Sequence, residues 1–137
     1  MILGAMKFHH LGLAVKNDAE GLAYLSVLGY SAGEKIYDPE QNVHVRLCTA
    51  PHLPAIEIVT PGEGKTPLDP ILQRQPEALY HTCYEVDDID AIVKSLEDAK
   101  LRVLCLSPPK PAILFGGRMV SFYRVIGFGI IELLQAA

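Results

Sequence analysis

The chain has 137 residues, half of them hydrophobic and a fifth charged, with a formal net charge of −4 and a mean hydropathy of +0.22. That length allows a domain that buries roughly two-thirds of its unfolded surface, and the composition excludes intrinsic disorder. The acidic balance, 12 basic against 16 acidic residues with no Lys/Arg cluster, argues against a nucleic-acid partner, and no apolar run reaches the roughly 18 residues of a membrane span.

Residues 1–8 lack the charged-then-apolar pattern of a secretory leader, and Lys7 interrupts them, so the expected location is cytoplasmic. A first apolar strand is expected over residues 8–15. The helix after it is entered at Asn17-Asp18, carries Leu22, Leu25 and Leu28 on one face and is stopped by Gly29. Strands follow at about 30–37, 42–49 and 54–60, with Asp38-Pro39-Glu40-Gln41 turning between the first two. A Pro- and Gly-rich link, about 61–77, holds a short helical piece near 68–73. The order then repeats: a strand over 79–86, a helix started by Asp87-Asp88 with Ile89, Ile92, Val93 and Leu96 as its apolar stripe, and strands near 101–106, 119–124 and 129–135. Gly116-Gly117 reads as a turn. The expectation is an α+β fold, one domain over 1–137, made of two βαβββ modules at about 7–60 and 78–135. Cys48, Cys83 and Cys105 are odd in number with no C-x-x-C spacing, and read as small buried hydrophobes in a reducing compartment.

The repeat brings chemistry with it. His10 and Val15 align with His81 and Val86, and Ile56-Glu57-Ile58 aligns with Ile131-Glu132-Leu133. Alternation puts His10 on a face with Gly12 and Ala14, and His81 with Cys83 and Glu85. Each carboxylate is embedded in an apolar strand, where it costs several kcal/mol unless it is paired or binds a metal. Two imidazoles and two carboxylates would neutralise a divalent cation and leave two octahedral positions for substrate or water oxygens. His9 and His52 have no counterpart in the other half and read as surface or structural.

The segments His10-Leu-Gly-Leu-Ala-Val15, Ala55-Ile-Glu57-Ile-Val-Thr-Pro61, Tyr80-His81-Thr-Cys-Tyr-Glu-Val-Asp-Asp-Ile89 and Gly129-Ile-Ile-Glu132-Leu-Leu-Gln135 resemble the vicinal oxygen chelate superfamily. Within it the sequence is most similar to the methylmalonyl-CoA epimerases, over about residues 7–135. The resemblance implies a U-shaped mixed sheet enclosing a cavity, with one divalent ion (Co, Mn, Ni or Zn) held by His10, Glu57, His81 and Glu132. The position of Glu57 is often Gln in the epimerases and commonly Glu in the glyoxalase I enzymes. Three stretches depart from the epimerase pattern. Ala78-Leu79-Tyr80-His81 stands where two adjacent histidines usually follow a Gly. Phe122-Tyr123-Arg124-Val125 stands where a His-Pro-Lys usually follows the aromatic residue. Val45, flanked by His44 and Arg46, stands where some epimerases carry a base.

The activity implied is a metal-dependent epimerase or isomerase that removes the proton beside an acyl-thioester carbonyl, on a methylmalonyl-CoA-like substrate. Glu132 is the first candidate base, Glu57 its partner across the repeat and His44 a third. Arg46, Lys110 and Arg118 are candidates to hold a phosphate or carboxylate of coenzyme A or a phosphopantetheine arm. A glyoxalase I-type lactoylglutathione lyase is the alternative, and a metal-free small-molecule-binding protein on the same scaffold a third reading. The apolar excess favours a homodimer.

Overall fold

The computed structural model describes residues 6–137. Its elements run β1 (Met6–Val15), α1 (Ala19–Val27), β2 (Ser31–Ala32), β3 (Ile36–Asp38), β4 (Val43–Ala50), β5 (Leu53–Pro61), α2 (Asp69–Leu72), β6 (Glu77–Val86), α3 (Ile89–Asp98), β7 (Val103–Ala112), a 3-10 turn (Ile113–Phe115), β8 (Arg118–Val125) and β9 (Gly129–Gln135). The described residues fall into two compact units, one of residues 10–80 and one of residues 6–9 with 81–137.

In the unit of residues 10–80, strands are ordered β2-β4-β5-β1 with β3 also on β4. Strands β1 and β5 run parallel, and the other pairs are antiparallel. In the other unit the order is β7-β8-β9-β6, with β6 and β9 parallel and the rest antiparallel. Each unit therefore sets its entry strand parallel to its last strand, with a helix between the entry strand and the antiparallel run. This is the mixed-sheet α+β architecture of two βαβββ modules.

Local chemistry fixes the helix ends. Asn17 Oδ1 accepts from the Ala19 amide at 2.9 Å at the start of α1. At its end Gly29 takes φ +95°, Gly29 N–H donates to Ser26 O and Tyr30 N–H to Leu25 O, a Schellman closure that only a left-handed residue permits. Asp88 caps α3 by accepting from the Ala91 amide at 3.1 Å. The same closure ends α3, but Lys100 rather than glycine takes the left-handed φ of +66°.

Each helix covers one face of its own unit's strands. Leu22 and Leu25 of α1 pack with Val15, Cys48, Ile56 and Ile58. Ile89, Ile92, Val93 and Leu96 of α3 pack with Tyr123, Ile131 and Leu133. A fully buried aliphatic side chain of this size is worth about 1.5–3 kcal/mol. In both units the helix-free face of the strands is left for the residues below.

Three expectations are corrected. The strand expected over 30–37 is two short pieces, β2 and β3. At Gly33 the chain runs against β4: its N–H donates to Leu47 O at 2.8 Å, and a Cβ there would lie 2.8 Å from that oxygen. The strand expected over 101–106 instead runs to Ala112 through Pro108, Pro109 and Pro111, because β7 lies at the edge, where a missing N–H breaks no ladder. Cys48 and Cys83 are buried thiols outside any disulfide, as expected, whereas Cys105 is exposed on that edge strand.

Candidate functional site

The sheet register places the repeated residues in the same way in both units. Gly12 of β1 lies opposite Glu57 of β5, and His10 precedes it by two residues on the same face. His10 Nε2 is 3.4 Å from Glu57 Oε1. In the other unit Cys83 of β6 lies opposite Glu132 of β9, and His81 precedes it by two residues on the same face. His81 Nε2 is 3.1 Å from Glu132 Oε1. All four residues are buried, at 0% and 3% exposure for His10 and His81 and 5% and 2% for Glu57 and Glu132. A carboxylate at that depth needs a cation or donors beside it.

The surroundings of each pair are apolar. On the Glu57 face of its unit, Leu47 lies opposite Glu57 and Val45 opposite Val59. On the Glu132 face, Phe122 lies opposite Glu132 and Val120 opposite Leu134. Cys83, Ala112, Val120 and Leu134 form a buried cluster there, with Phe115 and Phe122 packed against it. The Phe122 ring meets the His81 imidazole edge to face, centroids 5.3 Å apart at 87°.

The remaining sequence candidates divide. His44 and Arg46 are on the face of β4 opposite to Leu47 and Glu57, because the register is regular from Val43 to Cys48 and odd separations change face. His44 instead lies against the Tyr37 ring, centroids 5.1 Å apart and tilted by 50°. Arg46 donates to Gly33 O at 3.1 Å and lies 3.7 Å from Asp18, which also pairs with Lys35 at 3.2 Å. The structure thus does not bring His44 or Arg46 to the Glu57 face. Lys110 is opposite Val120, and Arg118 lies two residues from Val120, so both share the Glu132 face. Arg118 is engaged: Nη2 donates to Glu85 and Nε to Gln135 O at 2.8 Å. The Arg118 guanidinium holds the Glu85 carboxyl below its usual range, desolvation opposing and Lys7 and His9 assisting. His9 meets Phe115 edge to face with centroids 5.1 Å apart, and His52, with φ +64°, is in the exposed β4–β5 turn.

Sequence reading singled out neither the Glu85–Arg118 pair nor Phe122 as a neighbour of His81. Alternation alone assigns Glu85 to the His81 face, but pairing across β9 follows only from the register. Among the described residues no helix is long and apolar enough to cross a membrane.

The chain belongs to the glyoxalase/bleomycin resistance protein/dioxygenase superfamily, whose family model matches residues 9–122. Among its relatives is the ethylmalonyl-CoA/methylmalonyl-CoA epimerase of Cereibacter sphaeroides, 35% identical over 134 residues, or 94% of this chain and 97% of that protein. The mitochondrial methylmalonyl-CoA epimerase of Dictyostelium discoideum is 30% identical over 122 residues, 88% of this chain and 71% of that one. A crystal structure of methylmalonyl-CoA epimerase from Mycobacterium tuberculosis shares the fold with a TM-score of 0.77 at 19% identity, covering 95% of this chain and 87% of the other.

Proposed function

We propose that the protein is an epimerase of an acyl-CoA thioester, methylmalonyl-CoA-like in having a carboxylate on the α-carbon, and that it works with one divalent ion. The observation that carries this reading is the repeated half-site: a buried imidazole and a buried carboxylate on one face of parallel strands, formed twice in one chain. The names of the two relatives supply the substrate class. We take the whole chain to act as one domain, its two modules joined by the link over about 61–77.

The donor set fits a divalent ion. Two neutral imidazoles and two carboxylates cancel its charge, and both carboxylates are buried in an apolar setting beside a histidine. His10, Glu57, His81 and Glu132 would hold it. When bound, such an ion supplies Lewis-acid stabilisation of the charge that develops on the thioester oxygen.

The chain's own residues account for the proton. Inverting the α-carbon requires a group to take its proton from one side and a group to return one from the other. Of the three base candidates, Glu57 and Glu132 lie on the half-site faces and His44 lies on the opposite face of its strand, so we assign the two transfers to Glu57 and Glu132. Val45, Val120, Leu134 and Phe122 line those faces with apolar groups and limit water at the two carboxylates. Lys110, on the Glu132 face of an edge strand, is our candidate for a phosphate or carboxylate of the acyl carrier.

The test is direct. Purified protein reconstituted with Co, Mn, Ni or Zn and given one enantiomer of methylmalonyl-CoA should produce the other. Methylglyoxal with glutathione is the contrasting substrate: formation of the lactoyl thioester, without epimerisation, would replace this reading with a glyoxalase I-type lyase.

A further inference from the structure

The two half-sites share their His and Glu but differ in the residues on either side of the carboxylate. Glu57 has Gly12 on its parallel neighbour and Leu47 on its antiparallel neighbour. Glu132 has Cys83 and Phe122 at the same two positions. Phe122 therefore reaches from β8 past Glu132 on β9 to meet His81 on β6, whose ring it crosses at 87°. The contact joins the first and third strands of a three-strand row, across the strand that carries Glu132. Phe122 is also tied into the buried cluster of Cys83, Ala112, Val120 and Leu134, so its own ring has little freedom.

We infer that Phe122 is a positioning residue: it fixes the plane of the His81 imidazole and so sets the affinity of the His81–Glu132 half-site for its ion. The physical basis is ordinary. An imidazole that retains rotation about its side-chain bonds must lose it on binding, and a perpendicular aromatic neighbour removes that freedom in advance. Hydrogen-bonded partners that orient a metal-binding histidine typically change affinity by about 10- to 100-fold, and a packed ring is expected to act at the lower end of that scale. The inference rests on the proposed metal-binding reading.

The test uses Co²⁺ alone, with equilibrium dialysis for affinity and the visible absorption of the bound ion for geometry. Phe122→Leu, which installs the residue type of the other half-site, should weaken Co²⁺ by about tenfold and change its spectrum. Phe122→Tyr, which keeps the ring, should bind within about twofold of the unaltered protein and preserve the spectrum. If Phe122→Leu does not fold, the metal-free native protein gives the second measurement: the carbon-bound imidazole protons of His81 should show a ring-current displacement, and unshifted resonances would overturn the inference. A Phe122→Leu protein matching the native one in affinity and spectrum overturns the inference alone. A native protein that takes up no metal overturns the metal-binding reading along with it.

Discussion

Glu57 and Glu132 are each flanked along the chain by Ile or Leu, and each reaches a histidine on the neighbouring parallel strand. Their replacement separates ligation from proton transfer. Glu132→Gln keeps the size and one oxygen donor but removes the base, so activity should fall by at least about 10²-fold while metal is retained at reduced affinity. His10→Ala deletes a donor and should lower metal affinity by about an order of magnitude or more. Metal content by mass spectrometry beside an epimerisation assay distinguishes the two, and two variants as active as the native protein would remove the site. Glu85 gives a separate prediction. Its carboxyl is held low by Arg118, so its contribution to stability is present at neutral pH and is lost as pH falls through and below the ordinary glutamate value of about 4.3. Urea unfolding from pH 7 to pH 3 should show a shallower acid decline for Glu85→Gln than for the native protein.

At the scale of elements, the helix ends offer measurable energies. Asp88→Ala removes the acceptor for the Ala91 amide and should cost about 1 kcal/mol. Lys100→Gly relieves a left-handed φ and should gain about 1 kcal/mol, a rise in Tm of roughly 3 °C at this size. Thermal unfolding followed by circular dichroism checks both signs. These ends were legible in the sequence as Asn17-Asp18, Gly29 and Asp87-Asp88, because capping is chemistry local to a few residues. The strands near Gly33 and after Leu106 were not. Whether a Pro-rich run is a loop or an edge strand depends on which neighbour it lacks, and that is decided by topology. The four repeated His and Glu residues were legible because strand alternation and an internal repeat are both visible in one dimension. The faces of His44 and Arg46 needed the register of β4 on β5. Phe122 and the Glu85–Arg118 pair needed strand order across β9.

At the scale of the whole molecule, the exposed apolar residues bear on assembly. Leu104 and Leu106 on edge strand β7 are half-exposed, as is Leu101 just before it. We expect the chain to form a homodimer, and light scattering at low micromolar concentration should return twice the 15.0 kDa chain mass; a monomer there contradicts that expectation. The measurement that bears most directly on the central claim is exchange at the substrate's α-carbon. Metal-loaded protein incubated with methylmalonyl-CoA in heavy water should place deuterium at that carbon as the two enantiomers interconvert, and chelation should stop both, with restoration on returning the ion. Unlabelled substrate and unchanged enantiomeric composition after incubation with fully loaded protein would contradict the account.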